Sequence, residues 1–426
     1  MRPLCALALV ASSLALAEEG MWLFNDFPAA QVRRDVAVTV DQAWLDGVRL
    51  GSVRLANGCS ASFVSPDGLV MTNHHCIRTC LGDLSSPSRD LLTTGFVAAT
   101  REGEERCPKF EANQLVRITD VTEAVLAATK GSSGAAFQKQ LKGETSRLES
   151  ACSAGDAAKR CDVVTLFHGA QFHLYEYRRF QDVRVVFAPE FQMAAFGGAP
   201  DNFNFPRYGF DAAFLRVYVD GRPAQSPEHL RWAKKSAKEG DVVFVSGHPG
   251  GTERSLTVAQ YEYLRDVSLP WLITTYAESR GRLDEWMKQS PERERMARSR
   301  LRSIENSLKA LRGRREALVE PSFLEGKRAA EAALRARAPE STRGAWDAIS
   351  GAMHTQRGLF VDYLMREVGF AFQSDLFAHA RKLSRHAVET ARPNGERLRE
   401  YTDAQLPALR QSPLGLAVST AWRESL

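Results

Sequence analysis

Residues 58–76, Gly-Cys-Ser-Ala-Ser-Phe-Val-Ser-Pro-Asp-Gly-Leu-Val-Met-Thr-Asn-His-His-Cys, constrain the fold more than any other part of this chain. Two apolar runs flank Pro66-Asp67-Gly68. Proline presets the first turn dihedral and glycine supplies the positive φ, so the two runs form a hairpin. Its second strand ends on His74 and His75. Cys59 and Cys76 bracket the unit, and a disulfide between them pins the end of that strand and with it one imidazole. A general base must be held in this way, at a fixed position and angle.

Met1-Arg2-Pro3 followed by an apolar run to Ala17 reads as a secretory leader. Ala15-Leu16-Ala17 matches the small-x-small cleavage pattern, which makes 1–17 the leader and Glu18 the first mature residue. The run is shorter than the roughly 20 apolar residues a bilayer requires, and no other long apolar segment follows. The expectation is therefore an exported chain, periplasmic or extracellular, with no membrane span. Of seven cysteines, Cys5 falls in the leader, and the even number left favours three disulfides in an oxidising compartment. Fifteen connectivities are possible by counting. Local spacing favours Cys59–Cys76, Cys80–Cys107 and Cys152–Cys161, the first best supported because the hairpin joins its ends. A zinc site built from His74, His75, Cys76 and Cys80 competes with this reading. Zinc sites commonly use two spaced ligand pairs; no second cluster balances this one, so no metal is expected, and no motif calls for a cofactor. The net charge of +5 over 426 residues contains no like-charge block and no basic–aromatic interleaving, which argues against a nucleic-acid partner.

From about residue 20 to 255 the chain is β-rich, with short strands expected at 184–187, 213–219 and 241–246. A polar excursion at 118–160 carries expected helices at 122–130 and 137–151. Beyond 255 the apolar period changes. Leu301, Ile304, Leu308, Leu311 and Leu318 fall at helical spacing in a proline-free stretch, 292–320. Further helices are expected at 324–337, 343–370 and 373–391, punctuated by Pro270, Pro291, Pro321, Pro339 and Pro393. Helices of this ordinary length use such a stripe as their own core rather than as a partner-binding coiled coil. The organisation is thus a leader at 1–17, a β-rich region at 18–255 and a helical domain at 256–426.

Further motifs stand in one order: Gly20-Met-Trp-Leu-Phe-Asn-Asp-Phe-Pro28, Asp182-Val-Arg-Val-Val-Phe-Ala-Pro-Glu190, Phe196-Gly-Gly, and Asp201-Asn-Phe-Asn-Phe-Pro-Arg-Tyr-Gly-Phe-Asp211 before an apolar strand. With the His-Cys hairpin, and over about residues 20–252, the chain resembles the bacterial dipeptidyl-peptidase 7 and 11 family of trypsin-like serine exopeptidases. The resemblance implies a β + α fold: a trypsin-like β-barrel half followed by a largely α-helical insert domain, with the second barrel missing from these 426 residues.

A serine peptidase needs a nucleophilic hydroxyl, an imidazole to take its proton and a carboxylate to hold the imidazole's tautomer. The family motif carries the base onto His75 and the carboxylate onto Asp211, directly before the strand, with Asp201 as its rival. Neighbours on a strand face opposite ways, so His74 is expected to face away from the cleft and make structural hydrogen bonds. A dipeptide-releasing enzyme must also recognise a free α-amino group. Asn202 matches the family's asparagine at that task, and Phe203 stands for its tryptophan, keeping an aromatic wall without the indole donor. Gly247-His-Pro-Gly-Gly251 takes the place of a family Gly-x-Pro-Gly turn, with His248 an unusual member.

The family serine lies in a Gly-Asn-Ser-Gly-Ser-type loop of the second barrel, and no such motif follows Asp211. Gly131-Ser-Ser-Gly134 lies between histidine and aspartate in a helix-connecting loop and is not read as the nucleophile. The resemblance implies an exported serine dipeptidyl-peptidase acting on peptides with a free N-terminus, its full-length form a homodimer, and inactive as this serine-less portion. A non-catalytic binding module and, more weakly, a metal-dependent hydrolase are the competing readings.

Overall fold

The computed structural model describes residues 21–406 apart from Pro87, Lys109, 196–205, 250–252, Arg254, 371–373 and Ala404. The leader, Asn202, Phe203, Asp201 and the last two glycines of the 247–251 turn lie outside the described residues, as does everything after Leu406. The chain divides into two compact units: the first takes the residues up to Ala195, Gly209–Arg254 and those from Arg392, and the second takes Ser255–Ala391 with the described residues of Phe196–Tyr208. The sequence-based division kept the residues from Arg392 with the helices. In the first unit they form short turns in which Tyr401 and Thr402 are buried, and Lys139 and Glu149 of the helical excursion meet Glu396 and Arg399 at 2.7 and 3.5 Å.

The first unit is built on one antiparallel sheet of eleven strands among the described residues. In chain order these are β1 (Ser52–Leu55), β2 (Ser60–Phe63), β3 (Leu69–Thr72), β4 (Phe96–Val97), β5 (Glu105–Arg106), β6 (Ala112–Asp120), β7 (Lys159–Leu166), β8 (Gln171–Phe180), β9 (Asp182–Ala188), β10 (Ala213–Val219) and β11 (Arg222–Pro223). The spatial order is β4-β9-β10-β3-β2-β1-β6-β8-β7. β2 and β3 form the expected hairpin, with Ser62 opposite Met71, and Gly68 in the turn has φ +75°. A side chain there would strike the Val217 and Ala224 carbonyls within 3 Å, so the turn requires glycine for its space as well as its dihedral.

Helices α1 (Ala29–Val36) and α2 (Gln42–Gly51) precede the sheet, α3 (His74–Leu84) follows the hairpin, and α4 (Leu91–Thr94) leads into β4. The excursion carries α5 (Thr122–Thr129) and α6 (Gly134–Ser153), joined by the Gly131–Gly134 loop; Val125, Val163 and Phe172 pack beneath them. α7 (Phe191–Ala195) follows β9. Inward side chains of β1, β2, β3, β9 and β10 meet Ile77 and Leu81 of α3 in one core that also holds Cys76, Cys80 and Cys107. Burying this apolar surface is the main drive to fold the unit. Disulfides join Cys59–Cys76, Cys80–Cys107 and Cys152–Cys161, with Cα separations of 6.1, 5.1 and 6.1 Å.

One expected strand did not form. Residues 241–246 have no ladder partner among the described residues. They are held instead by Phe244 against Trp44 and by Ser52 Oγ donating to Ser246 Oγ at 3.0 Å.

The second unit is helical: α8 (Val258–Tyr263), α9 (Leu269–Met287), α10 (Pro291–Val319), α11 (Pro321–Arg337), α12 (Ala345–Tyr363) and α13 (Asp375–Thr390). The leucine stripe of α10 turns inward, with Ile304, Leu308 and Leu318 buried. Leu311 and Leu318 pack with Tyr261, Leu269 and Leu324, and a second cluster joins Tyr263, Phe360 and Leu364. Among the described residues no helix is long and apolar enough to cross a membrane.

Candidate active site

The two histidines do not end a strand. β3 stops at Thr72, and His74 and His75 begin α3. The motif reads like a strand end, but the buried residues recur at helical spacing: His74, Ile77 and Leu81 face the core while His75, Thr79 and Gly82 are exposed. Helical periodicity, rather than strand alternation, therefore turns the two imidazoles apart. His74 is 1% exposed against the ring of Phe191. The hydrogen bonds expected of it do not reach its buried Nε2, which has no partner among the described residues. Burial pushes its imidazole below the ordinary value, against the pull of the Asp211 carboxylate.

Register delivers the acid. β10 runs antiparallel to β3 with Ala213 opposite Thr72, so the chain two residues earlier arrives opposite the start of α3. There His75 Nδ1 and Asp211 Oδ2 lie 2.7 Å apart, and the His75 backbone N–H donates to Oδ1 at 3.0 Å. Asn73, the N-cap residue, makes no cap bond of its own; its Nδ2 donates to the Asp211 backbone carbonyl at 2.8 Å. Asp211 thus replaces the usual N-cap side chain and places its charge at the positive end of the helix. Burial alone would raise its carboxyl, but the side-chain and backbone hydrogen bonds from His75 outweigh that and hold it below the ordinary 3.8. Asn73 escaped the sequence reading, although asparagine directly before a helix start is a capping signal.

The rest of the helix end is pinned as well. The Cys59 disulfide holds Cys76, and Asn57 Nδ2 donates to the Cys76 carbonyl at 2.7 Å. His75 is left with a 53% exposed side chain: Asp211 occupies its Nδ1, and Nε2 is the nitrogen available for proton transfer. Ligand atoms of Cys59, His75 and Cys76 lie within 4.8 Å of one another. Both sulfurs are spent in the disulfide, as Cys80 is with Cys107, so the cluster offers a metal no thiolate. His248, at the end of the 241–246 run, donates its backbone N–H to Ser60 Oγ at 2.8 Å. Its ring sits near Tyr177, both ring nitrogens are buried without partners among the described residues, and burial with Arg54 nearby takes its pKa down to about 4.

The arrangement pairs a half-exposed imidazole with a carboxylate at a helix start, and the chain that carries it is similar to known proteins. The chain is 31% identical over 296 residues to an Asp/Glu-specific dipeptidyl-peptidase of Shewanella putrefaciens, covering 65% of this chain and 39% of that protein. It is 28% identical over 358 residues to the dipeptidyl-peptidase 7 of Capnocytophaga gingivalis, covering 78% and 49%. The crystal structure of Porphyromonas endodontalis DPP11 superposes with TM-score 0.69 at 25% identity, covering 80% of this chain and 53% of that one. The chain therefore spans about half the length, or less, of these relatives. The peptidase S46 family model matches residues 17–421, and by this match the chain belongs to the peptidase S46 family.

Proposed function

We propose that this chain carries the base and orienting acid of an exported serine dipeptidyl-peptidase, one that releases dipeptides from peptides with a free N-terminus. The observation that carries the reading is the 2.7 Å contact between His75 Nδ1 and Asp211 at a pinned helix N-terminus, with the imidazole half exposed. In this role Asp211 keeps the proton on Nδ1, and Nε2 accepts the proton of a serine hydroxyl as it attacks the scissile carbonyl. The same nitrogen returns that proton to the departing amine. The dipeptidyl-peptidase names of the relatives support the reaction class.

The serine and the oxyanion donors belong to a region these 426 residues do not supply in motif form, so the polypeptide by itself releases no dipeptides. The β-rich unit is read as a trypsin-like half-barrel and the helices as an insert. Asn202, with Phe203 as an aromatic wall, is assigned to the substrate amine. The leader at 1–17 and three disulfides fit an exported protein, and the full-length enzyme is read as a homodimer.

The test is dipeptide release from fluorogenic peptides by a polypeptide in which this chain is continued by a serine-bearing region of an S46 relative. His75→Ala should lower turnover by on the order of 10⁶-fold, and Asp211→Asn by about 10⁴-fold. The 426 residues alone should neither turn over substrate nor label with a fluorophosphonate. Turnover that survives His75→Ala would remove the assignment.

A further inference from the structure

The other nitrogen of His75 also has a neighbour. Nε2 lies 3.5 Å from Sγ of Cys76. While that sulfur is bonded to Cys59 it carries no proton and is at most a weak acceptor. Cleaving the disulfide would change the chemistry, because Asp211 Oδ2, the two imidazole nitrogens and Cys76 Sγ already form a carboxylate–imidazole–sulfur line with spacings of 2.7 and 3.5 Å. We propose that Cys59–Cys76 is a redox-gated reactive site: a dithiol reductant opens it in the folded protein and leaves Cys76 as a thiolate partnered by His75, a nucleophile toward small electrophiles and mixed disulfides.

The surroundings give the exchange a direction. Cys59 is partly exposed ahead of β2, whereas Cys76, in the first turn of α3, is 4% exposed. An incoming thiolate attacks Cys59 Sγ, forming a bond to it, and the Cys59–Cys76 electron pair departs on Cys76. The reductant's second thiol then attacks the mixed disulfide, expels the Cys59 sulfur and closes the reductant's own disulfide. The dithiol loses two electrons and two protons. The protein disulfide gains the electrons, one proton goes to Cys59, and the other is shared between Cys76 and His75 Nε2.

Cys76 is the better leaving group on two counts. It is the third residue of α3, where the helix N-terminus favours negative charge, and its counter-cation can form on His75. A stabilised thiolate leaves faster. Asn57 and the buried Ile77 and Leu81 keep the helix end seated without the crosslink. The other disulfides lack this setting. Cys80 and Cys107 are sealed in the core at 1% and 0% exposure, and among the described residues no imidazole nitrogen is bonded to Cys152 or Cys161. With Cys76 reduced, its thiolate competes for the Nε2 a serine would need, so opening the disulfide also withdraws the base. The inference requires no peptide turnover.

The experiment treats the full chain with dithiothreitol in a chelating buffer, alkylates with iodoacetamide across pH, and reads each cysteine by peptide mass spectrometry while circular dichroism monitors the fold. At about pH 6.5, Cys76 should react roughly tenfold or more faster in the parent chain than in His75→Ala, a comparison made at one sulfur with one degree of burial. Cys59→Ala, which frees Cys76 without reductant, should show the same dependence on His75. If that variant does not fold, the wild-type comparison decides alone. A Cys76 rate indifferent to His75, or reduction only in step with loss of the fold, would each overturn the proposal.

Discussion

Two apolar runs of the first unit have similar alternating chemistry and different fates. Ala213–Val219 lies between β3 and β9, and Ala213, Leu215 and Val217 are fully buried. Residues 242–245, Val-Val-Phe-Val, have β-branched and aromatic side chains suited to a strand. They pair with nothing among the described residues, and Val243 and Val245 stand 65% and 96% exposed. Composition does not separate the two; neighbours do. A strand satisfies its backbone only through adjacent strands, so an apolar alternation without a ladder remains an extended segment. The functional consequence follows directly. Asp211 heads the paired run and arrives at His75 on register, whereas His248 ends the unpaired run with its ring nitrogens without partners among the described residues.

The contrast is sharpest in stability. Leu215→Ala deletes a side chain that is 0% exposed and should cost about 2–5 kcal/mol. Val245→Ala removes one that is almost wholly solvated and should change stability by no more than about 0.5 kcal/mol. Urea unfolding of the two variants gives the comparison. Amide exchange gives it independently, with β10 protected at the level of global unfolding and residues 242–245 exchanging by local motion. Similar costs at the two positions would mean that the unpaired run is as well packed as β10.

The same contrast explains what was legible in the sequence. The Pro66–Gly68 turn is written locally, and so is the α10 stripe. The three disulfides followed from cysteines close enough in sequence to be joined by one hairpin, by the stretch through α4, β4 and β5, or by one helix–strand connection. The pairing of Asp211 with His75 came from family resemblance, and its geometric reason, the β3–β10 register, is a long-range property no local pattern contains. The helix at His74 was missed because four residues of apparent strand outweighed Ile77 and Leu81, whose spacing from His74 is helical. The strand at 241–246 was expected because alternation cannot report whether a partner exists. Residues 392–406 were placed with the helices because their short turns have no period to read, yet Tyr401 and Thr402 are buried with the first unit.

His248 gives the next largest effect. Its pKa falls from the ordinary 6.5 to about 4, through burial first and Arg54 second. Because the folded value is the lower one, the unfolded chain takes up the proton first. The stability contributed by the neutral ring is present above 6.5 and is lost as pH falls from there toward 4. Over that window the loss is about 3 kcal/mol. His74, also lowered by burial, acts in the same direction. Calorimetric unfolding from neutrality to about pH 4 should therefore show a steep acid limb that His248→Gln flattens. An unchanged limb in His248→Gln would show that the ring is already satisfied, and the two regions would then differ less than their hydrogen bonding indicates.

The smallest energetic effect tests the paired region most directly. Asp211 lies below its ordinary 3.8 because the hydrogen bonds from His75 overcome the opposing effect of burial. A depressed carboxyl contributes stability above its unfolded value and loses it as pH falls through the folded one, so this contribution disappears only below about 3.8, outside the His248 window. The pair is part-exposed and screened, and Asp211→Asn should cost no more than about 1 kcal/mol. Its effect on the imidazole should be larger than its effect on stability. An asparagine can still accept the His75 backbone N–H through its oxygen, which turns its amide donors toward Nδ1. A protonated Nδ1 would then face a donor, so the neutral ring should carry its proton on Nε2 instead, the wrong nitrogen for a base. Nitrogen-15 spectra of His75 should show Nδ1–H in the parent chain and Nε2–H in the variant. An Nδ1–H tautomer persisting in Asp211→Asn would mean that the carboxylate does not orient the ring, and that the register of β10 on β3 brings Asp211 to the helix start as a cap alone.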